Sequence, residues 1–270
     1  MEFGLSTACL YPQDTETTLA YYCKRQLKVC EVFINTYSEL APGYINTLRR
    51  MCDDAGMEVV SVHPFTSGFE PFMMFTDYER RFEDFLELHR LYFEACASLG
   101  ATVFVLHGDR RESQCPDERY FQRYRRLYEL GKRYGVRVAQ ENVVRCRSHS
   151  AEFIQTMRRA LGDDVCFVLD IKQAVRAQQD VYAMVKAMGE RLVHLHLSDH
   201  SERGDCLPVG MGTLNISKLF SALDKVGFDG SVILELYREN FNEADELFAS
   251  LSALKVIVQS AKGNGLIRQG

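Results

Sequence analysis

The 270-residue sequence has no apolar run approaching the ~20 residues needed to cross a bilayer, so it offers no candidate membrane span. It begins MEFGLSTACLYP, without the basic segment and apolar stretch of a secretory leader, and a cytoplasmic location is expected. Its nine cysteines form no C-x-x-C pair, and this odd, scattered set reads as buried reduced thiols. Positive charge is not in excess either. The net charge of −5 disfavours nucleic acid as a partner, while leaving open a local basic pocket for a phosphorylated small molecule. The first predicted βα loop, STACLYPQDT, contains no glycine, whereas a doubly wound nucleotide-binding sheet normally carries a Gly-rich phosphate turn there. No linker, short repeat or low-complexity tract interrupts the chain, and a single domain over 1–270 is expected.

What the sequence does contain is alternation. Apolar runs rich in β-branched residues recur between longer amphipathic stretches, the signature of a parallel α/β fold. Strands are predicted near 2–7, 29–34, 57–63, 101–107, 136–141, 165–170, 191–198 and 230–236. Helices are predicted near 14–25, 41–55, 77–99, 117–134, 149–161, 173–188, 214–226 and 242–261. Gly56, Gly100, Gly135 and Gly227 each fall between a helical stretch and the next strand, where a left-handed C-cap is needed. Eight βα units in a chain of this length match a (β/α)8 TIM barrel, which typically takes about 250 residues. The connections after the third, fifth and seventh strands, 64–76, 142–148 and 199–213, are longer, as loops are on the face where a barrel builds its site.

Four residues mark that face. Glu141, Asp170, His196 and Glu235 each sit at the C-terminal end of a strand-like run, VRVAQE, VCFVLD, LVHLHLSD and SVILEL, and are 29, 26 and 39 positions apart. A βα unit takes ~30 residues, and a TIM barrel gathers its strand ends at one mouth. Three carboxylates and an imidazole converging there suit one divalent metal ion, Mn²⁺, Mg²⁺, Co²⁺ or Zn²⁺, without deciding among them. Helix capping is the competing reading for any one strand-end acid, but four successive strands ending this way favour a site.

The segments VAQENV, VLDIKQA, HLHLSDHSERGDCLPVGMGTLN and GFDGSVILEL resemble those of the xylose isomerase-like barrels, a family of sugar isomerases and epimerases together with endonuclease IV-type enzymes. The resemblance spans the chain and is firmest over 136–240. It implies that Glu141, Asp170, His196 and Glu235 are the metal ligands, and that Glu141 and Glu235 also exchange protons with a substrate carbon next to a carbonyl. It further implies that His63 and His107, ending the third and fourth strands, contact substrate, and that Arg203 in the loop after the seventh strand does the same. His194 shares the parity of His196 and reads as an interior histidine. His89 and His149, in or beside helices, read as structural. The N–H groups of Gly210 and Gly212 are a weaker candidate for an anionic ligand, and Arg145 and Arg147 for a phosphate or carboxylate.

One position departs from the family pattern. Many members carry a histidine three residues after the sixth-strand aspartate, where this chain has Gln173. Glutamine can hydrogen-bond a sugar hydroxyl but is a poor transition-metal ligand. The three-zinc nuclease needs that histidine and an Asp-x-His motif; here the corresponding loop reads Asp205-Cys206-Leu207. The expected function is therefore a metal-dependent isomerase or epimerase of a small carbohydrate or polyol derivative. A lyase acting on a cyclic polyol or keto acid is the alternative, followed by a nuclease and a non-catalytic barrel. The loop 64–76, GFEPFMMFTDY in part, is apolar enough to cover the mouth or to join subunits of a homo-oligomer.

Overall fold

The computed structural model describes residues 1–202 and 204–263. In chain order its first half comprises β1 (Glu2–Ser6), α1 (Thr15–Lys24), β2 (Val29–Ile34), α2 (Pro42–Ala55), β3 (Glu58–Pro64), α3 (Glu70–Met73), α4 (Glu79–Leu99), β4 (Val103–Leu106), α5 (Asp117–Lys132) and β5 (Arg137–Glu141). The second half adds α6 (Ala151–Leu161), β6 (Cys166–Asp170), α7 (Ile171–Arg176), α8 (Val181–Met188), β7 (Leu192–Leu197), β8 (Asp199–Ser201), β9 (Gly204–Leu207), α9 (Ile216–Lys225), β10 (Ser231–Leu234) and α10 (Asp245–Gly263). Strands β1 to β7 and β10 close into a barrel in which every pairing is parallel. The predicted (β/α)8 TIM barrel is the observed fold.

Both faces of each barrel strand are covered, which is why the runs read as almost continuously apolar. Outward-facing residues meet the helical ring in one large core that includes Tyr22, Tyr92, Phe93, Phe104, Phe167 and Phe220. A separate apolar cluster of Val29, Val60 and Ile233 links β2, β3 and β10. Ile233 shares strand parity with Glu235, so this cluster lies inside the barrel below the strand ends. The barrel is tight here: a Cβ on Gly4 would stand 2.3 Å from the Val29 carbonyl oxygen, so only glycine fits. All four predicted glycine caps have positive φ, from 59° to 82°.

Three segments differ from the sequence expectation. The single helix expected over 173–188 is two, because Gln178 takes a left-handed φ of 54° and the Asp180 carboxylate accepts from Tyr182 N–H to start α8 afresh. The loop after β7 contains the antiparallel β8–β9 hairpin. The 64–76 loop is largely helical, with a 3-10 turn at Phe65–Gly68 followed by α3. All nine cysteines are free thiols. Among the described residues, no helix is long and apolar enough to cross a membrane.

Candidate active site

The strand register brings the predicted quartet together. Asp170 is level with His196 across β6 and β7, and the N–H of Glu235, just beyond β10, donates to the carbonyl of Leu197 at the end of β7. One donor atom from each of Glu141, Asp170, His196 and Glu235 lies within 4.8 Å of the others. His196 Nδ1 stands between the carboxylates, 3.6 Å from Glu141 Oε1, 4.0 Å from Asp170 Oδ2 and 3.7 Å from Glu235 Oε2. Because β6 and β7 separate β5 from β10, Glu141 and Glu235 approach this point from opposite sides.

Alternation along β5 explains how Glu141 is fixed. Its neighbours point the other way and tie adjacent strands. Gln140 Nε2 donates to the carbonyls of Leu106 and His107, while Asn142 exchanges two hydrogen bonds with the Asp170 backbone, at 2.7 and 3.0 Å. The Asp170 carboxylate accepts from Gln173 N–H through Oδ1, capping α7. The end of β10 is held by two thiols on its two edges. Cys9 Sγ lies within hydrogen-bonding reach of Leu234 O and Leu236 N, and Cys206 Sγ of Glu235 O and Tyr237 N.

Two further predicted residues join the cluster. His107 Nε2 is 2.9 Å from Glu141 Oε2 and 3.1 Å from His63 Nε2, and His63 stacks on Phe33 at 4.7 Å between ring centroids. Burial and the facing His107 push His63 down to about 4. Burial also opposes charge on His107, but Glu141 outweighs it and holds this imidazole above its usual range. Gln173 is buried beside the site, and its Oε1 accepts from Val144 N–H, so its carbonyl is committed to the loop after β5. Arg203 lies outside the described residues.

Other candidates do different work. The N–H groups of Gly210 and Gly212 both donate to Asp199 Oδ2 at 3.0 Å, while those of His200 and Leu214 donate to Oδ1. The chain's own carboxylate fills that nest, correcting the expectation of an external anion. Arg147 is anchored to the Cys115 carbonyl and to Asp117 and packs on Phe153, a structural role. Arg145 reaches the mouth, with Nη2 3.2 Å from His107 Nδ1.

Two residues escaped sequence reasoning. Glu31, in the middle of β2, is fully buried beneath the quartet. Its Oε2 accepts from Ser61 Oγ at 2.8 Å and faces His196 Nε2 at 3.0 Å and His194 Nε2 at 3.3 Å. The signal was a lone acid in the apolar run VCEVFI. Lys172 follows Asp170 by two positions, and its Nζ is 2.9 Å from Glu235 Oε2 and 3.3 Å from Asp170 Oδ2.

The electrostatics follow from burial and these partners. Burial favours neutral carboxyls, yet Lys172 and His196 hold Glu235 down at about 2, and His107 holds Glu141 well below its usual range. Burial dominates at Asp170, where Lys172 only partly offsets it and Glu141 and Glu235 add to it, leaving that carboxyl at about 7. Burial would depress His196, but Glu31 and Glu235 hold it well above its usual range. Burial likewise opposes the Lys172 charge, and Asp170 and Glu235 outweigh it.

The donor set fits a divalent cation. Glu141 Oε2, Asp170 Oδ2 and His196 Nδ1 are among the buried polar atoms that make no well-directed hydrogen bond, although Glu141 Oε2 lies 2.9 Å from His107 Nε2 and Asp170 Oδ2 3.3 Å from Lys172 Nζ. Buried polar atoms are otherwise almost always satisfied. Next to Glu235 opens a cavity of about 380 Å³ lined by Tyr11, Phe33, Asn35, Phe65 and Tyr237. A larger groove of about 600 Å³, lined by α4 and α5 residues such as Glu83, Arg90 and Arg126, lies on the helical ring away from these groups.

Residues 26–257 match the family model of the xylose isomerase-like TIM barrel. The chain belongs to this family. An uncharacterized protein of Mycobacterium tuberculosis is 25% identical over 275 residues, covering 91% of this chain and 92% of its own. Among solved structures of the same fold, a D-tagatose 3-epimerase-like protein superposes with a TM-score of 0.82 at 18% identity, covering 98% of this chain and 100% of that one. The IOLI protein, solved with a zinc atom, gives 0.71 at 16% identity and 98% coverage of both chains. At these identities the structural likenesses show the fold alone, and the chemistry rests on the chain's own residues.

Proposed function

We propose that this xylose isomerase-like barrel is a divalent-metal-dependent isomerase or epimerase of a small carbohydrate or polyol derivative. The observation that carries the reading is the buried quartet Glu141, Asp170, His196 and Glu235, one donor atom from each lying within 4.8 Å of the others. A divalent ion held there supplies polarisation of a substrate carbonyl and its neighbouring hydroxyl, which acidifies the C–H between them. The remaining chemistry belongs to the chain. Glu141 and Glu235 lie on opposite sides of His196 and both rest as carboxylates; in this reading one takes the proton from that carbon, and the other, after picking up a proton from solvent, delivers it to the opposite face while the first releases its own to solvent. His63 and His107 offer hydrogen bonds to substrate hydroxyls beside Glu141. Tyr11, Phe33, Phe65 and Tyr237 give the cavity next to Glu235 an aromatic wall on which the apolar face of a sugar ring can pack.

The test is isotopic. With Mn²⁺ and a panel of ketoses in D₂O, the protein should wash deuterium into a carbon next to the carbonyl without loss of water. Glu141→Gln and Glu235→Gln should each lower turnover by roughly 10²–10⁴-fold, the usual contribution of a general acid or base. Exchange accompanied by dehydration would assign a lyase instead. Full activity in the double variant would remove the acid–base pair.

A further inference from the structure

The proposed ligand set has an unusual neighbour. Lys172 is 4% exposed, and its ammonium hydrogen-bonds Glu235 Oε2 at 2.9 Å, stands 3.3 Å from Asp170 Oδ2 and faces the Tyr237 ring at 4.6 Å from its centroid. A buried ammonium is costly unless paired, and here its two anionic partners are two of the four proposed ligands. Nothing else in α7 demands a cation at this position: the helix is capped by Asp170 through Gln173 N–H, and Arg176 pairs with Asp205.

Charge balance gives Lys172 a purpose. With a divalent ion bound and Glu141, Asp170 and Glu235 all ionised as its ligands, the three carboxylates and the ion together keep one negative charge. The ammonium cancels the remainder. It also fixes which oxygen of Glu235 is free, because Oε2 is engaged by Nζ whereas Oε1 is not. We infer that Lys172 is a positioning residue that clamps Glu235 as an oriented carboxylate and, as a resident cation beside the ligands, holds down the affinity of the site for divalent metal. The site thereby trades metal affinity for a fixed proton-transfer group. This inference rests on the quartet being a metal site, but not on which substrate is turned over.

The experiment uses the full-length metal-stripped protein and Mn²⁺ alone, followed calorimetrically, with wild type, Lys172→Met, Lys172→Gln and Lys172→Arg. Removal of a positive charge this close to a divalent ion should tighten Mn²⁺ binding by about tenfold or more in the Met and Gln variants, whereas Arg should stay near wild type. On any substrate the wild type turns over, kcat of the Met and Gln variants should fall about a hundredfold with KM little changed, and Arg should recover much of it. Circular dichroism of each variant checks that the barrel is intact. Should Lys172→Met misfold, Lys172→Gln, which keeps a hydrogen-bond donor to Glu235, carries the test.

Unchanged or weaker Mn²⁺ affinity in folded Met and Gln variants would overturn the inference. So would wild-type kcat in those variants. Tighter Mn²⁺ in a protein that turns over no sugar would leave Lys172 in this role and remove the proposed reaction. An active wild type with indifferent Lys172 variants would do the reverse.

Discussion

Glu31 shows how one residue beneath the site sets the properties of another within it. A carboxylate at zero exposure is tolerable only with strong partners, and this one has Ser61, His194 and His196. Although burial works against it, these histidines hold its carboxyl well below the usual range. By engaging Nε2, Glu31 turns Nδ1 of His196 toward Glu141, Asp170 and Glu235, the carboxylate–histidine arrangement that orients metal-binding imidazoles. Glu31→Gln should therefore weaken Mn²⁺ binding by roughly 10–100-fold, the usual cost of losing such a support, although Glu31 is not itself a member of the quartet. Titration calorimetry on metal-stripped protein measures it; an unchanged affinity would show that His196 is positioned by packing alone. The expected sign is opposite to that for Lys172, so the two variants separate orientation from charge.

At the scale of elements, the barrel strands were legible because each is an apolar run bounded by turn signals, and the quartet was legible because strand ends face one way. Lys172 was not, since two residues into a helix it has the sequence appearance of a surface lysine; only the position of Asp170 brings it to Glu235. The β8–β9 hairpin was not legible either. Its strands, Asp199–Ser201 and Gly204–Leu207, are too short and polar to show an alternating pattern. It is defined instead by the Asp199 carboxylate, which accepts four backbone N–H groups, two of them from glycines. A Cβ on Gly212 would stand 2.4 Å from Asp199 Oδ1, so glycine is required where the loop folds over that carboxylate. Asp199→Ala would leave these donors without their acceptor, and at ~1.5–3 kcal/mol per hydrogen bond to a charged group the loss should be at least about 3 kcal/mol. Urea melts should show a lower midpoint, and limited proteolysis should cut first within 199–213. Resistance equal to wild type would mean that the hairpin is held by its strand pairing.

At the scale of the whole molecule, stability couples to pH through a group far from the mouth. His89 lies in α4 among Phe85, Tyr92, Phe93 and Phe104, fully buried, with Nδ1 2.8 Å from the Phe85 carbonyl and Nε2 without a partner. The sequence reading of a structural histidine in a helix is what the packing describes, yet its consequence appears only with the burial. Loss of water around the ring lowers it from 6.5 to about 4. A depressed folded value means that the unfolded chain binds the proton first. The neutral ring's contribution is thus fully present above pH 6.5 and is lost as the pH falls toward 4. At pH 5 the loss is about 2 kcal/mol, from the difference in proton uptake by the two states. His63, pushed down to about 4, adds a change of the same sign, whereas Glu70, pushed up to about 7 by burial, contributes stability that is lost as the pH rises. The wild-type profile alone therefore mixes opposing slopes, and the difference from His89→Leu isolates one of them. Leucine fills much of the ring's volume and cannot titrate. Comparing urea unfolding free energies at pH 7 and pH 5, the gap between wild type and His89→Leu should move by about 2 kcal/mol in favour of the variant at the lower pH. A gap that stays constant would mean that water reaches Nε2 and that the α4 aromatic cluster opens well before the barrel unfolds.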